Sequence, residues 1–181
     1  MRGVLFALFL LFAGSVRADD LKVFFSPSLR CENKIVELIN KSDERIEAAI
    51  YAINNDDIVC ALKKAHDRGV KIRILTDRLQ ASNKSSKVRD LYNYGINIRV
   101  HSRFKIEHNK FAVFDGKVAS SGSFNWTNPA SDKNSENCIF FIRNRLAVQE
   151  FQDRFNYLWR INTKTKSDLW FEKKEGEKNG C

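Results

Sequence analysis

The run Phe111-Ala112-Val113-Phe114-Asp115-Gly116-Lys117-Val118-Ala119-Ser120-Ser121 decides how this chain folds. Two strand-like halves flank Asp115-Gly116. That dipeptide between such runs is a strong hairpin signal, because both turn positions take a positive φ. With two residues in the turn, Phe114 pairs with Lys117, and the pairing runs back until His108 lies opposite Ser123. Side chains alternate faces along a strand, so His108 and Lys110 share one face. Ser121, Ser123 and Asn125 share that face from the partner strand. One hairpin thus gathers His, Lys, Ser and Asn into a single polar cluster.

The cluster suits a phosphate. An ammonium attracts phosphate oxygens as a compact point charge, while hydroxyl and amide groups supply oriented hydrogen bonds. Neutral imidazole is a nucleophile near pH 7, and its second nitrogen needs a partner that fixes the tautomer. Alternation places Asp115 on the face opposite His108. Glu136 is therefore the residue expected to orient the imidazole, and Asp115 is expected to cap the turn. Packing alone never demands His, Lys, Ser and Asn together on one strand pair. This is equipment for attacking a phosphodiester without a metal.

The pattern reads His108-x-Lys110, then Asp115, then Gly122-Ser123-x-Asn125, with Glu136 downstream. It resembles the phospholipase D superfamily, most closely its small bacterial endonucleases with one motif per chain. Phe25-Ser26-Pro27, Ile50-Tyr51-Ala52, Ala61-Leu62 through Arg68-Gly69-Val70, and Asn134-Ser135-Glu136-Asn137 resemble the family in order and spacing. The likeness covers roughly residues 21 to 160. It implies that His108 attacks phosphorus to give a phosphohistidine, and that Lys110, Ser123 and Asn125 hold the phosphate and its developing charge. It implies further that Glu136 orients His108 and that Asp115 supports the fold.

The family mechanism uses two such motifs, one histidine attacking while the other protonates the leaving oxygen and then activates water. His66-Asp67-Arg68 and His101-Ser102-Arg103 do not supply the second, since each has Arg for Lys and no Gly-Ser-x-Asn follows. The resemblance therefore implies a two-fold homodimer with the site at its interface, the commonest oligomer type. A monomer is expected to be inactive. No cofactor and no metal is expected, because neither Cys-x-x-Cys nor His-x-x-x-His spacing occurs.

Residues 1–18 have a basic start, an apolar run from Val4 to Ala13 and small residues ahead of Asp19, which describes a cleaved secretory signal peptide. About eleven apolar residues fall short of the roughly twenty that span a bilayer. Export to a periplasm or the medium follows. The formal charge of +9 becomes +7 without Arg2 and Arg17, an excess that fits a polyanion and predicts salt-sensitive binding. Cys31, Cys60, Cys138 and Cys181 allow three pairings in an oxidising compartment. A Cys31–Cys60 bridge is conceivable, and so are buried free thiols.

The rest alternates. Strands are expected at Leu21–Ser26, Arg45–Ile53, Val70–Thr76, Ile96–His101 and Cys138–Arg143, and helices at Cys31–Lys41, Asp56–Arg68, Val88–Tyr94 and Leu146–Ile161. The pattern argues for an α/β sandwich with a mixed sheet flanked by helices, a catalytic domain over residues 19–162. A charged, loose tail is expected over 163–181. Asn54-Asn55-Asp56-Asp57 reads as a helix cap before a metal cluster. His66 reads as a solvated surface residue, His101 and Arg103 as surface-loop residues or contacts to substrate phosphates, Phe124 and Trp126 as core ahead of base-stacking groups, and Lys84, Lys87 and Arg89 as a solvated face or a nucleic-acid track. The leading activity is sequence-blind cleavage of DNA or RNA, since such a site reads phosphate and not base edges. A phospholipase D acting on phospholipid headgroups and a non-catalytic DNA-binding or uptake protein are the alternatives.

Overall fold

The computed structural model describes residues 20–179, with side chains for residues 21–173. The leader expected over residues 1–18 and Cys181 lie outside the described residues. Seven strands form one mixed sheet: β1 (Asp20–Ser26), β2 (Arg45–Ile50), β3 (Lys71–Thr76), β4 (Asn97–Val100), β5 (Lys110–Phe114), β6 (Val118–Gly122) and β7 (Glu136–Ile142). Their order is β1-β7-β6-β5-β2-β3-β4. Strands β2, β3 and β4 run parallel, and the rest pair antiparallel.

The helices are α1 (Arg30–Lys41), α2 (Asp56–Asp67), α3 (Arg78–Ala81), α4 (Val88–Asn93), α5 (Asn128–Asp132), α6 (Arg145–Ile161) and α7 (Lys164–Asn179). Helix α1 buries Cys31, Ile35, Leu38 and Ile39, an i, i+4, i+7, i+8 stripe. It packs with α2 on one face of the sheet, over Ile46, Ala48, Ile50, Ile72, Ile74, Ala112, Phe114 and Phe140. The other face carries Ala49, Leu75 and Phe111 beneath Phe155, Leu158 and Trp159 of α6. Asn55 caps α2 by accepting the Ile58 amide at 2.9 Å, as its sequence position suggests.

One expectation changes. The segment from residue 163 is helical and packed, not loose: Phe171 is 1% exposed and stacks on Tyr92 at 3.8 Å. Ser167 Oγ accepts the Val100 amide at 3.1 Å, so α7 covers the edge strand β4, which otherwise presents unpaired backbone groups. Its dense charge hid two apolar anchors, Trp170 and Phe171. Among the cysteine pairings the sequence left open, Cys31 bonds to Cys138 and not to Cys60, and joins the first turn of α1 to β7. Cys60 is a free, exposed thiol on the outer side of α2, whose Ile58, Ala61, Leu62 and Ala65 turn inward instead.

The hairpin forms with Asp115 at φ 51° and Gly116 at φ 64°, the left-handed pair that Asp-Gly favours. Its register is shifted by one. Lys117 donates its amide to the Phe114 carbonyl at 2.9 Å, but the ladder partner of Phe114 is Val118, not Lys117. A one-residue slip sends every following side chain to the other face. Ser121 accordingly shares the face of Ala119, away from the expected cluster.

Candidate active site

A second irregularity restores the alignment. At the end of β6 the amides of Ser123 and Phe124 both donate to the carbonyl of Asn137, at 3.1 and 3.2 Å. Two residues then oppose one, which is a β-bulge, and the chain beyond it swaps faces again. Gly122 makes this possible. Its φ is 139°, and a Cβ there would lie 2.3 Å from the Asn137 carbonyl oxygen. Only glycine fits such a backbone approach.

The result is an open pocket of about 400 Å³ lined by His108, Lys110, Gly122, Ser123, Asn125 and Glu136. It lies where β2 ends and β5 begins, since Ile50 pairs with Lys110. In open α/β sheets ligands sit outside the carboxyl ends of parallel strands, as this pocket does. Five of the six expected site residues thus converge, and Gly122 takes the place expected of Ser121. The sixth, Asp115, is at the far end of the hairpin. There it accepts the amides of Asp43, Glu44 and Arg45 at 3.1, 3.0 and 2.9 Å. Burial works against its charge, but the three amides outweigh it and hold the carboxyl below the ordinary aspartate range. In place of the expected cap on its own turn, the Asp115 carboxylate ties the hairpin to residues 43–45.

Within the pocket each group is positioned by neighbours. Ser123 Oγ accepts the Asn137 amide at 3.0 Å. Lys110 Nζ donates to the His108 carbonyl at 2.6 Å and lies 4.7 Å from the centre of the Tyr51 ring. Burial holds the Lys110 ammonium below the ordinary lysine range, with the Glu136 and Glu107 carboxylates pulling the other way. The buried Asn125 Oδ1 has no hydrogen-bond partner among the described residues. An uncompensated amide oxygen is costly, and it is tolerable in a site that a ligand or a second chain completes.

The expected orientation of His108 by Glu136 is not made within one copy. Glu136 accepts from Asn134 Nδ2 at 3.0 Å, and among the described residues no hydrogen bond joins it to the imidazole. The exposed His108 ring leans instead on Tyr51, centroids 4.6 Å apart and inclined by 57°. Sequence reasoning missed Tyr51 as a site residue, although it follows the end of β2, beside the strand that carries Lys110. It also missed Glu107, which is buried and accepts from Asn109 Nδ2 at 2.5 Å, bracing the residue between His108 and Lys110.

The other histidines take no part. His101 is 2% exposed, not a surface residue. Its Nε2 donates to the Phe104 carbonyl at 2.9 Å and its Nδ1 accepts the Arg78 amide at 3.3 Å. His66 lines a larger hollow of about 570 Å³ at the opposite end of the sheet, with Arg45, Glu47, Lys71 and Arg73. There the buried Glu47 carboxylate is already paired with Arg73 and Arg45. Phe124 and Trp126 are core, as expected. Lys87 pairs with Asp56 at 3.1 Å, and Arg89 donates to the Phe171 carbonyl at 3.0 Å, so neither is spare for a substrate backbone.

The fold and pocket define an α/β sandwich whose open end is built to recognise phosphate, with a histidine at its mouth. The chain belongs to the phospholipase D superfamily: residues 35–159 match the family described as "Cardiolipin synthase, PLD-like domain". It is 36% identical to the phospholipase D of Rickettsia prowazekii over 138 residues, 76% of this chain and 67% of that one. It is 31% identical to the mitochondrial cardiolipin hydrolase of Chlamydomonas reinhardtii over 127 residues, which is 70% of this chain but only 56% of the relative. Among solved structures it is similar to Nuc of Salmonella typhimurium, a phospholipase D family member. The TM-score is 0.76 at 27% identity, over 81% of this chain and 97% of that one.

Proposed function

We propose that the chain is an exported, metal-independent phosphodiester hydrolase that acts as a homodimer and cleaves DNA or RNA without regard to sequence. The observation that carries this reading is the convergence of His108, Lys110, Ser123, Asn125 and Glu136 on one polar pocket that contains a single histidine. His108 of one copy attacks phosphorus, the P–O bond to the leaving group breaks, and the departing oxygen takes a proton from His108 of the second copy. That second imidazole, now neutral, removes a proton from water, which attacks the phosphohistidine and frees the first histidine. Lys110 and the Ser123 and Asn125 side chains hold the phosphoryl oxygens throughout.

The single histidine in the pocket supports a reading with a second copy, and an exposed edge offers it a surface. The edge strand β1 exposes Leu21, Val23 and Phe25, at 56, 42 and 67%, on one face. Phe25 pairs with Asn137, the residue that braces Ser123, so the row ends one strand away from the pocket-lining Glu136. Nucleic acid ranks first as substrate on the positive charge, +9 for the whole chain and +7 without Arg2 and Arg17. A phospholipid diester is the second reading, supported by exposed apolar side chains beside His108 and by relatives named phospholipase D and cardiolipin hydrolase.

The test is digestion of plasmid and single-stranded DNA by the purified chain in excess EDTA, beside His108→Ala. Cleavage is expected from the wild type alone, falling steeply with salt. Full activity in the variant sinks the mechanism. A dimer that leaves DNA intact but hydrolyses phospholipid moves the second reading to first. Tight DNA binding without cleavage of either substrate favours a non-catalytic binding protein.

A further inference from the structure

The loop between β4 and β5 leads directly into His108, and it is unusual in what it exposes. Arg103-Phe104-Lys105-Ile106 alternates cations with large apolar side chains, and Phe104 and Ile106 are 43 and 46% exposed. Leu79 on α3 is 65% exposed, with Arg78 exposed beside it. Scattered exposed apolar residues are ordinary on a protein surface. These three are not scattered, because the two segments are tied to each other by a buried polar brace.

Asp77, 1% exposed, forms the core of that brace. Its Oδ1 accepts the Leu79 and Gln80 amides at 2.9 and 3.0 Å, and its Oδ2 accepts the Glu107 amide at 3.1 Å. His101 completes it, with Nε2 on the Phe104 carbonyl and Nδ1 on the Arg78 amide. The loop is therefore fixed at its start, its middle and its end. Burying a carboxylate and an imidazole is costly, and here it holds apolar side chains outward instead of letting them fold in. Among the described residues, the side chains of Arg78, Arg103 and Lys105 have no ion pair or hydrogen bond, so their charge is free to meet a partner.

We propose that this rim, Leu79, Phe104 and Ile106 with Arg78, Arg103 and Lys105 around them, seats the catalytic end of the chain on an anionic bilayer surface. Apolar wedges with flanking cations bind at the headgroup boundary through buried apolar area and electrostatic attraction together. Each Lys or Arg near such a surface strengthens partition by a factor of about five, so three together supply roughly a hundredfold preference for anionic over zwitterionic lipid. Single-stranded nucleic acid is a poorer fit, since stacking needs aromatic faces and two of the three apolar side chains are aliphatic. The proposal does not depend on which diester is cleaved, and it places the pocket mouth at the membrane plane.

The experiment is flotation of the purified chain with vesicles of phosphatidylcholine, with and without an equal part of phosphatidylglycerol. Wild type is compared with a Leu79→Ser, Phe104→Ser, Ile106→Ser variant. Circular dichroism and hydrolysis of a small soluble phosphodiester report whether the variant is folded, separately from lipid binding. Wild type is expected to float with the anionic vesicles only, and the variant to lose at least about tenfold in partition while keeping its soluble-diester rate. Failure of wild type to float, or equal flotation of the variant, overturns the proposal. So does a variant that keeps its vesicle binding and instead loses affinity for a single-stranded oligonucleotide, or turns from dimer to monomer. A wild type that floats but hydrolyses no diester refutes the proposed activity and leaves the membrane surface standing.

Discussion

The two ends of the β5–β6 hairpin are built on opposite principles. At the turn, polar groups find partners: Asp115 accepts the backbone amides of Asp43, Glu44 and Arg45, and the Lys117 amide closes on the Phe114 carbonyl. At the open end, groups are left in want of partners. Among the described residues the buried Asn125 amide oxygen has no partner, the His108 imidazole is exposed beside Tyr51, and Lys110 rests on a backbone carbonyl. A saturated end fixes the register, and an unsaturated end keeps donors and charge available for a ligand. The stiffness of the open end comes from behind it. Gly122 pairs with Cys138, and Cys138 is bonded to Cys31 of α1.

The largest blow to this contrast is expected from Gly122→Ala. A Cβ 2.3 Å from the Asn137 carbonyl oxygen, at a φ of 139°, forces the bulge to move and carries Ser123 and Asn125 with it. Activity should fall by on the order of 10²-fold or more, as for other small misplacements of catalytic groups. Stability should fall by about 3 kcal/mol. Steady-state kinetics beside thermal melting measures both, and unchanged kinetics would mean that the bulge does not set the site.

Removing the bridge with Cys31→Ala and Cys138→Ala should cost about 2–4 kcal/mol, because it closes a sequence separation of 107 residues. Chemical denaturation in the presence and absence of reductant is the check. Wild type should become reductant-sensitive and the double variant should not. An unaffected wild type would leave the open end supported by packing alone.

At the saturated end, Asp115→Asn should lose about 1–2 kcal/mol of stability and little activity. The folded carboxyl sits below 3.8, so its contribution is complete above that pH and is lost as pH falls through the lowered value. The acid limb of stability should therefore flatten in the variant. A large loss of activity at unchanged stability would show that Asp115 is more than a support.

The contrast also explains what could be read in the sequence. Asp-Gly between apolar runs identified the turn, and alternation placed His108 with Lys110, because both signals are local. The pairing of Phe114 with Val118 in place of Lys117 was not legible, nor was the compensating bulge at Gly122, since each depends on strands β5 and β7 lying on either side. Those two departures cancel, so the expected cluster assembled by a different route. The failure at α7 has the same origin. Its charge-rich sequence shows no amphipathic stripe, and the docking of Trp170 and Phe171 is set by a tertiary neighbour, Tyr92. The buried role of His101 depends on Asp77 and Phe104 and was equally hidden.

The mildest test probes the charge that the open end keeps in reserve. Lys110 must be protonated to hold a phosphate, and burial lowers its pKa from 10.5, so the alkaline limb of activity should fall below the ordinary lysine range. Glu136 opposes that shift by favouring the ammonium. Glu136→Gln should therefore move the limb to still lower pH, even if its maximum rate also drops. The pH profile of kcat/KM for a soluble diester, backed by NMR titration of the Lys110 side chain, reads the direction. A limb that stays in place, or moves up, would mean that Glu136 does not act on Lys110 during turnover and that its charge is spent on another partner.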